Sequence, residues 1–293
     1  MPGFSGIFAP IPTPFAGEAI AYPALAENLE KWAASPLDGL VVLGSNGEAV
    51  LLDEDEKVEL VRFVAAHNPG GKVIVAGTGC ESTRATVRLT RRCAEAGAQA
   101  ALVLTPGYYK GALDDATLER FFTDVADAAP VPVLLYNMPR NTGVNISAAL
   151  AARLSRHPNI AGIKDSGGNI VQIQETIAAA APGFAVFAGS GGFLLATLLA
   201  GGVGGTMAVA NLLPDECAAI YRLFCAGRLD EARDLQRRIL PLNWAVTGKY
   251  GVAGLKAALE MRGYSGGDVR RPLLPVGEAA RAELRRLLAD GGW

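Results

Sequence analysis

The chain has 293 residues, half of them hydrophobic and 19% charged, with a formal net charge of −2. It lacks the basic excess of a phosphate-backbone binder, so nucleic acid is excluded as an expected partner. Its length suits one large core or two modest ones.

The four cysteines, Cys80, Cys93, Cys217 and Cys225, have no C-x-x-C spacing, and His67 and His157 stand far apart. Neither set reads as a metal site or a disulfide framework, so no metal is expected and the thiols are expected to be free, in a reducing compartment. The first cationic side chain is Lys31. No basic leader precedes an apolar stretch, and a cytoplasmic setting is expected. Between Glu175 and Asp215 no residue is charged, but Pro182, Gly189, Gly191, Gly192, Gly201, Gly202, Gly204 and Gly205 interrupt the run. A membrane helix wants about 20 continuous apolar residues, so a buried strand–helix–strand is expected and no membrane contact.

In chain order, short apolar runs predict strands at 5–9, 39–43, 72–77, 100–104, 132–136, 160–164, 185–189 and 204–208. Near-continuous apolar runs are what parallel strands buried on both faces require. Helical patterns lie between them. Asp53-Glu54-Asp55-Glu56 opens a helix toward His67, where carboxylates complement the helix dipole. Ser82 and Gly97 bracket a helix over 83–96 as N-cap and C-cap. Helices are also predicted at 229–240 and 279–289. Alternating β–α units before residue 228 fit a (βα)8 TIM barrel, a fold of typically about 250 residues. No G-x-G-x-x-G follows the first strand to favour a doubly wound sheet. The expected organisation is therefore an α/β barrel over 1–227 carrying the active site, with a C-terminal helical subdomain over 228–293.

Such barrels place their chemistry at the C-terminal strand ends. The second strand ends in Gly44-Ser45-Asn46-Gly47-Glu48, the fourth in Thr105-Pro106-Gly107-Tyr108-Tyr109 and the fifth in Tyr136-Asn137-Met138-Pro139. The sixth ends in Lys164-Asp165-Ser166-Gly167-Gly168 and the seventh runs into Ala188-Gly189-Ser190-Gly191-Gly192. Lys164 follows Ile160-Ala161-Gly162-Ile163, so its stem starts inside an apolar barrel. Burial disfavours an ammonium, and a neutral amine attacks carbonyls. The alternative is a strand-end lysine paired with Asp165 or a neighbouring carboxylate. Tyr136, at the end of the adjacent strand, is either a proton relay or a packed aromatic with its hydroxyl on backbone. The Gly44–Glu48 turn offers a hydroxyl, an amide and backbone N–H groups suited to a carboxylate. Gly189-Ser190-Gly191-Gly192 has no lysine or arginine between Lys164 and Arg222 to serve a phosphate. Room for a carboxylate, or close backbone packing, is the better reading there.

Together these strand ends resemble the dihydrodipicolinate synthase / N-acetylneuraminate lyase family, over nearly the whole chain, from Gly6-Ile7-Phe8-Ala9-Pro10 to Gly251-Val252-Ala253-Gly254-Leu255-Lys256. The resemblance implies that Lys164 forms a Schiff base with a 2-oxo acid, so that no separate cofactor is needed. It implies that Tyr136 relays protons with Ser45, which stands where many members have threonine, and with Tyr108, which reaches into a neighbouring subunit of a homotetramer. The Gly44–Glu48 turn, with Ser45 and Gly47, would hold the oxo acid's carboxylate, and Asn46 and Ser166 are the candidates to hydrogen-bond the distal one. Asn141 and Gly189 complete the expected substrate contacts, with an aldehyde as the second small-molecule partner. Synthases that condense pyruvate with aspartate semialdehyde carry an arginine five residues after the relay tyrosine; here that position is Asn141, and Arg140 is displaced by one. Gly79-Cys80-Glu81-Ser82-Thr83, Asn141-Thr142-Gly143, Ala188-Gly189-Ser190 and Ala245-Val246-Thr247 are similar instead to the 4-hydroxy-2-oxoglutarate aldolase branch. Cleavage to pyruvate and glyoxylate is thus the expected reaction. The rivals are the synthase condensation, another pyruvate lyase, and a non-catalytic barrel that binds an oxo acid.

Overall fold

A computed structural model describes residues 4–293. Among these, eight parallel strands close into a barrel in sequence order. They are β1 (Gly6–Pro10), β2 (Gly39–Val42), β3 (Val73–Gly77), β4 (Ala100–Leu104), β5 (Val133–Asn137), β6 (Ile160–Asp165), β7 (Ala185–Ala188) and β8 (Gly204–Thr206). All eight lie where the apolar runs predict them. The last is shorter than expected, because Ala208–Asn211 leaves the sheet as a 3-10 turn.

Side-chain alternation sorts the apolar residues into layers. Phe8, Val41, Val75, Leu102, Leu134, Tyr136 and Phe187 fill the barrel interior, where the rings of Phe8 and Phe187 meet edge to face at 5.5 Å. The alternate residues face the surrounding helices, for example Ile7, Leu40 and Ile74 on one arc and Val103, Leu135 and Ile163 on another. The helix caps follow their sequence signals. Asp53 and Glu56 form a capping box on helix Glu54–Ala66. Ser82 Oγ accepts the Ala85 N–H at 3.2 Å at the start of helix Thr83–Glu95, and Gly97 leaves that helix with φ 109°.

Helices beyond residue 227 pack on the barrel. Ile239, Leu242, Val246, Leu255, Leu259 and Leu284 belong to the same hydrophobic cluster as Ile7 and Leu40. The helix expected to end at Leu240 instead runs from Leu229 to Trp244 through Pro241. A proline inside a helix forfeits one backbone bond, and the chain then widens into a π-helical stretch, Ala245–Lys249, before helix Gly251–Met261. No helix among the described residues is long and apolar enough to cross a membrane.

Candidate active site

The site is built at the junction of β5 and β6. Their pairing shifts register between Val133 and Leu134, and beyond the shift Tyr136 stands beside Lys164 and Asn137 beside Asp165. A bulge of this kind re-aims every side chain that follows it. On the other flank Lys164 is in register with Phe187, so tyrosine, lysine and phenylalanine share the inward face.

Lys164 is only 4% exposed, and its Nζ lies 4.3 Å from the centre of the Tyr136 ring. Pairing with Asp165 is ruled out by alternation, which turns that carboxylate outward. Asp165 accepts from the Asn137 amide at 2.8 Å and from the Gly167 N–H at 2.8 Å. Among the described residues Lys164 has no carboxylate within ion-pair distance. Asn137 in turn accepts the Ile146 N–H at 2.9 Å, tying the loop after β5 to the strand.

The Tyr136 hydroxyl faces Ser45 Oγ at 3.4 Å. Burial pushes this phenol up, but the neighbouring Lys164 charge and hydrogen bonds with Ser45, Ser166 and Lys164 outweigh burial and hold it below its ordinary value. The balance predicts a reversal on removing the cation. In Lys164→Met the Tyr136 phenol is expected to titrate above its value in the unaltered protein, read by NMR of tyrosine labelled at the ring Cζ and assigned with Tyr136→Phe. An unchanged titration would mean that Lys164 does not set it.

A cavity of about 640 Å³ surrounds these groups, bounded by Ser45, Asn46, Tyr136, Arg140, Asn141, Lys164, Ser166, Gly189 and, from the C-terminal helices, Asn243, Trp244 and Thr247. Lys164 and Arg140 are the cationic side chains in its wall, and no carboxylate lines it among the described residues. The Arg140 guanidinium donates to the Gly248 carbonyl at 3.0 Å, across the mouth. The Ser45 turn is a single 3-10 turn, Ser45–Gly47, entered from Leu43 at φ 61°, a strained value for a branched side chain. Gly77 makes room for that turn, since a Cβ there would lie 2.1 Å from the Leu43 carbonyl oxygen. The backbone N–H groups of Ser45 and Asn46 have no acceptor among the described residues, whereas Gly47 donates to Gly44 at 3.0 Å and lies outside the cavity wall.

Gly189 sits under Ser166: a Cβ there would be 2.0 Å from Ser166 Oγ. The glycine loop that follows is clamped by Asn243, which accepts the Gly191 N–H at 3.2 Å and bonds Ser190. Close packing therefore explains Gly189 and Gly191, whereas a Cβ at Gly192 would meet nothing nearer than 3.5 Å. Tyr108 is placed apart from the cluster. It is 79% exposed, its ring stands edge to face on Tyr109 at 5.0 Å, and its loop is held by Glu81, which accepts the Gly107 and Tyr108 N–H groups. It borders a second cavity of about 600 Å³, which shares Ser45, Tyr136 and Asn141 with the first. The sequence reading gave no role to Asn243 or to the buried Glu48, Lys256 and Arg270 behind the Ser45 turn. Only Lys256, the one charge before Glu260 in helix Gly251–Met261, carries a local signal; Glu48 sits in a turn, Arg270 in coil, and Asn243 on a helix rich in charge. Among the described residues no cluster of three or more His, Cys, Asp or Glu could hold a metal ion.

A closed parallel barrel with a buried lysine and tyrosine at adjoining strand ends is an arrangement suited to imine chemistry on a carbonyl compound. The sequence model described as the dihydrodipicolinate synthetase family matches residues 3–290, and the chain belongs to that family of pyruvate-dependent lyases. It is 36% identical to a probable mitochondrial 4-hydroxy-2-oxoglutarate aldolase of Emericella nidulans, over 97% of this chain and 94% of that protein. It is 33% identical to a 4-hydroxy-tetrahydrodipicolinate synthase of Caldicellulosiruptor saccharolyticus, over 100% and 98% respectively. Among solved structures, a dihydrodipicolinate synthase of Bacillus anthracis superposes with a TM-score of 0.94 at 30% identity, covering 99% of each chain.

Proposed function

We propose that the protein is a Schiff-base aldolase that cleaves 4-hydroxy-2-oxoglutarate to pyruvate and glyoxylate. The observation that carries this reading is the buried Lys164 amine, free of any carboxylate partner, in register with Tyr136. In this reading Lys164 Nζ adds to the C2 carbonyl, and loss of water gives a protonated imine. Tyr136 as phenolate takes the C4 hydroxyl proton, with Ser45 relaying it. The C3–C4 electron pair moves into the imine, glyoxylate leaves, and the enamine is protonated at C3. Water then hydrolyses the imine, releasing pyruvate and the lysine amine. The free N–H groups of Ser45 and Asn46 suit the C1 carboxylate, and Asn141 and Ser166 suit the distal one. The lysine itself carries the covalent chemistry, so no further cofactor is required. Tyr108, exposed within its own chain, acts in the site of a neighbouring copy, which makes the active unit a homo-oligomer, a tetramer by family resemblance.

One observation favours a second reading, the condensation of pyruvate with aspartate semialdehyde: Arg140 already lines the cavity and would offer a carboxylate a charge-assisted grip. Its tether to Gly248 across the mouth, and the neutral Asn141 beside it, favour cleavage. Steady-state rates of both reactions on one preparation decide. Cleavage is expected to have the higher kcat/KM, and Asn141→Arg is expected to shift the ratio toward the semialdehyde. A condensation rate equal to or above cleavage overturns the substrate while leaving the imine chemistry standing.

A further inference from the structure

The turn that carries Ser45 is bracketed by two non-glycine residues in left-handed backbone, Leu43 at φ 61° and Glu48 at φ 55°. Such residues hold only where the surroundings over-determine them. Two of the restraints are plain: Thr13 Oγ1 donates to the Gly47 carbonyl at 2.8 Å, and the Asn46 amide donates to Pro10 at 3.3 Å. The third is a buried ion pair. The Glu48 carboxylate meets Lys256 Nζ at 2.5 Å and accepts the Arg270 N–H at 2.8 Å, with both acid and lysine only 2% exposed.

Lys256 also donates to the Asp268 carbonyl, and its Nζ lies 4.6 Å from the centre of the Phe15 ring. Burial pulls its ammonium below the ordinary range, with Glu48 pulling the other way. The lysine stands on helix Gly251–Met261, whose first residues, Gly251 and Val252, line the same cavity as Ser45. One ion pair thus joins two walls of the catalytic cavity. Well-packed apolar side chains commonly hold a fold as well as a buried ion pair does, so stability alone does not account for charges at this place.

We propose that Glu48 and Lys256 are positioning residues that hold the Ser45 hydroxyl against Tyr136. The inference rests on the reading of Ser45 and Tyr136 as a proton relay. Its test uses the intact protein with pyruvate alone, so the aldehyde partner does not enter. Exchange of pyruvate C3 protons with deuterated water, followed by NMR, reports enamine formation. Glu48→Gln keeps an acceptor for Arg270 and loses the ion pair. Glu48→Gln with Lys256→Met removes both charges, leaves no unpaired buried ammonium, and serves if the single variant fails to fold. Folded variants are expected to lose kcat on the order of tenfold to a hundredfold, as misplacement of a catalytic group does, with a smaller rise in KM for pyruvate, whose carboxylate the same turn is proposed to hold. In a Ser45→Ala background the same change is expected to cost almost nothing more. Wild-type exchange in a folded variant, or losses that multiply independently of Ser45→Ala, would overturn the proposal and leave the relay intact. A silent Ser45→Ala would overturn the relay reading itself, and the proposal with it.

Discussion

Replacing Lys164 by arginine is expected to lower kcat/KM for any pyruvate-yielding cleavage by about 10⁴-fold or more, the scale on which loss of a covalent nucleophile is felt. The guanidinium keeps the positive charge and some of the stem, but it stays protonated and cannot add to a carbonyl. If Lys164 merely supplied positive charge beside Tyr136, arginine would preserve much of the activity. The barrel interior beneath it, with Phe8 and Phe187 in edge-to-face contact, does not depend on the amine. The variant is therefore expected to unfold cooperatively near the wild-type temperature in a circular-dichroism melt. Activity within tenfold of wild type would remove Lys164 from the chemistry.

The second large effect is expected at Tyr136. Tyr136→Phe removes one oxygen at a site where the phenol is held below its ordinary value by Lys164 and the serine hydroxyls, against the opposing effect of burial. A positioned acid–base group contributes about 10²- to 10⁴-fold, and a kcat loss in that range is expected while binding of the oxo acid persists. The direction of the shift sets the pH dependence. The base form of Tyr136 is the phenolate, so its population and the cleavage rate rise with pH through a value below that of a free tyrosine. In Tyr136→Phe that limb is expected to vanish from the kcat profile. Loss of substrate binding with kcat retained would assign Tyr136 to packing instead of proton transfer.

The barrel strands were legible because each is buried on both faces and reads as a short apolar run, from Ile7-Phe8-Ala9 to Val186-Phe187-Ala188. Lys164 was legible for the same reason: a cation ending an apolar run is an exception that burial must explain. What single residues could not reveal was the register shift at Val133 and Leu134 that sets Tyr136 beside Lys164. A bulge depends on how two strands pair, and neither strand's own residues record it. Gly189 was read as room for a carboxylate or as close backbone packing; it packs against the Asp165 carbonyl and against Ser166, just beyond the end of the adjoining strand. Glu48 was part of a quoted motif, yet its partners Lys256 and Arg270 come from the far end of the chain, and no local pattern pairs residues so distant. The helix at Leu229–Trp244 exceeded its predicted end because packing of Ile239 and Leu242 into the shared core carries it past Pro241.

The proposed bond between Lys164 and the oxo acid is covalent, and a covalent bond can be isolated. Borohydride added with pyruvate is expected to inactivate the protein irreversibly and leave the reduced adduct on the peptide containing Lys164 and no other. Lys256 is sequestered by Glu48, and Lys249 is engaged at 2.6 Å by Glu283. Peptide mass mapping after reduction reads the result directly. An adduct at Lys249 or Lys256 with Lys164 unmodified, or retained activity with no adduct at all, would contradict the assignment.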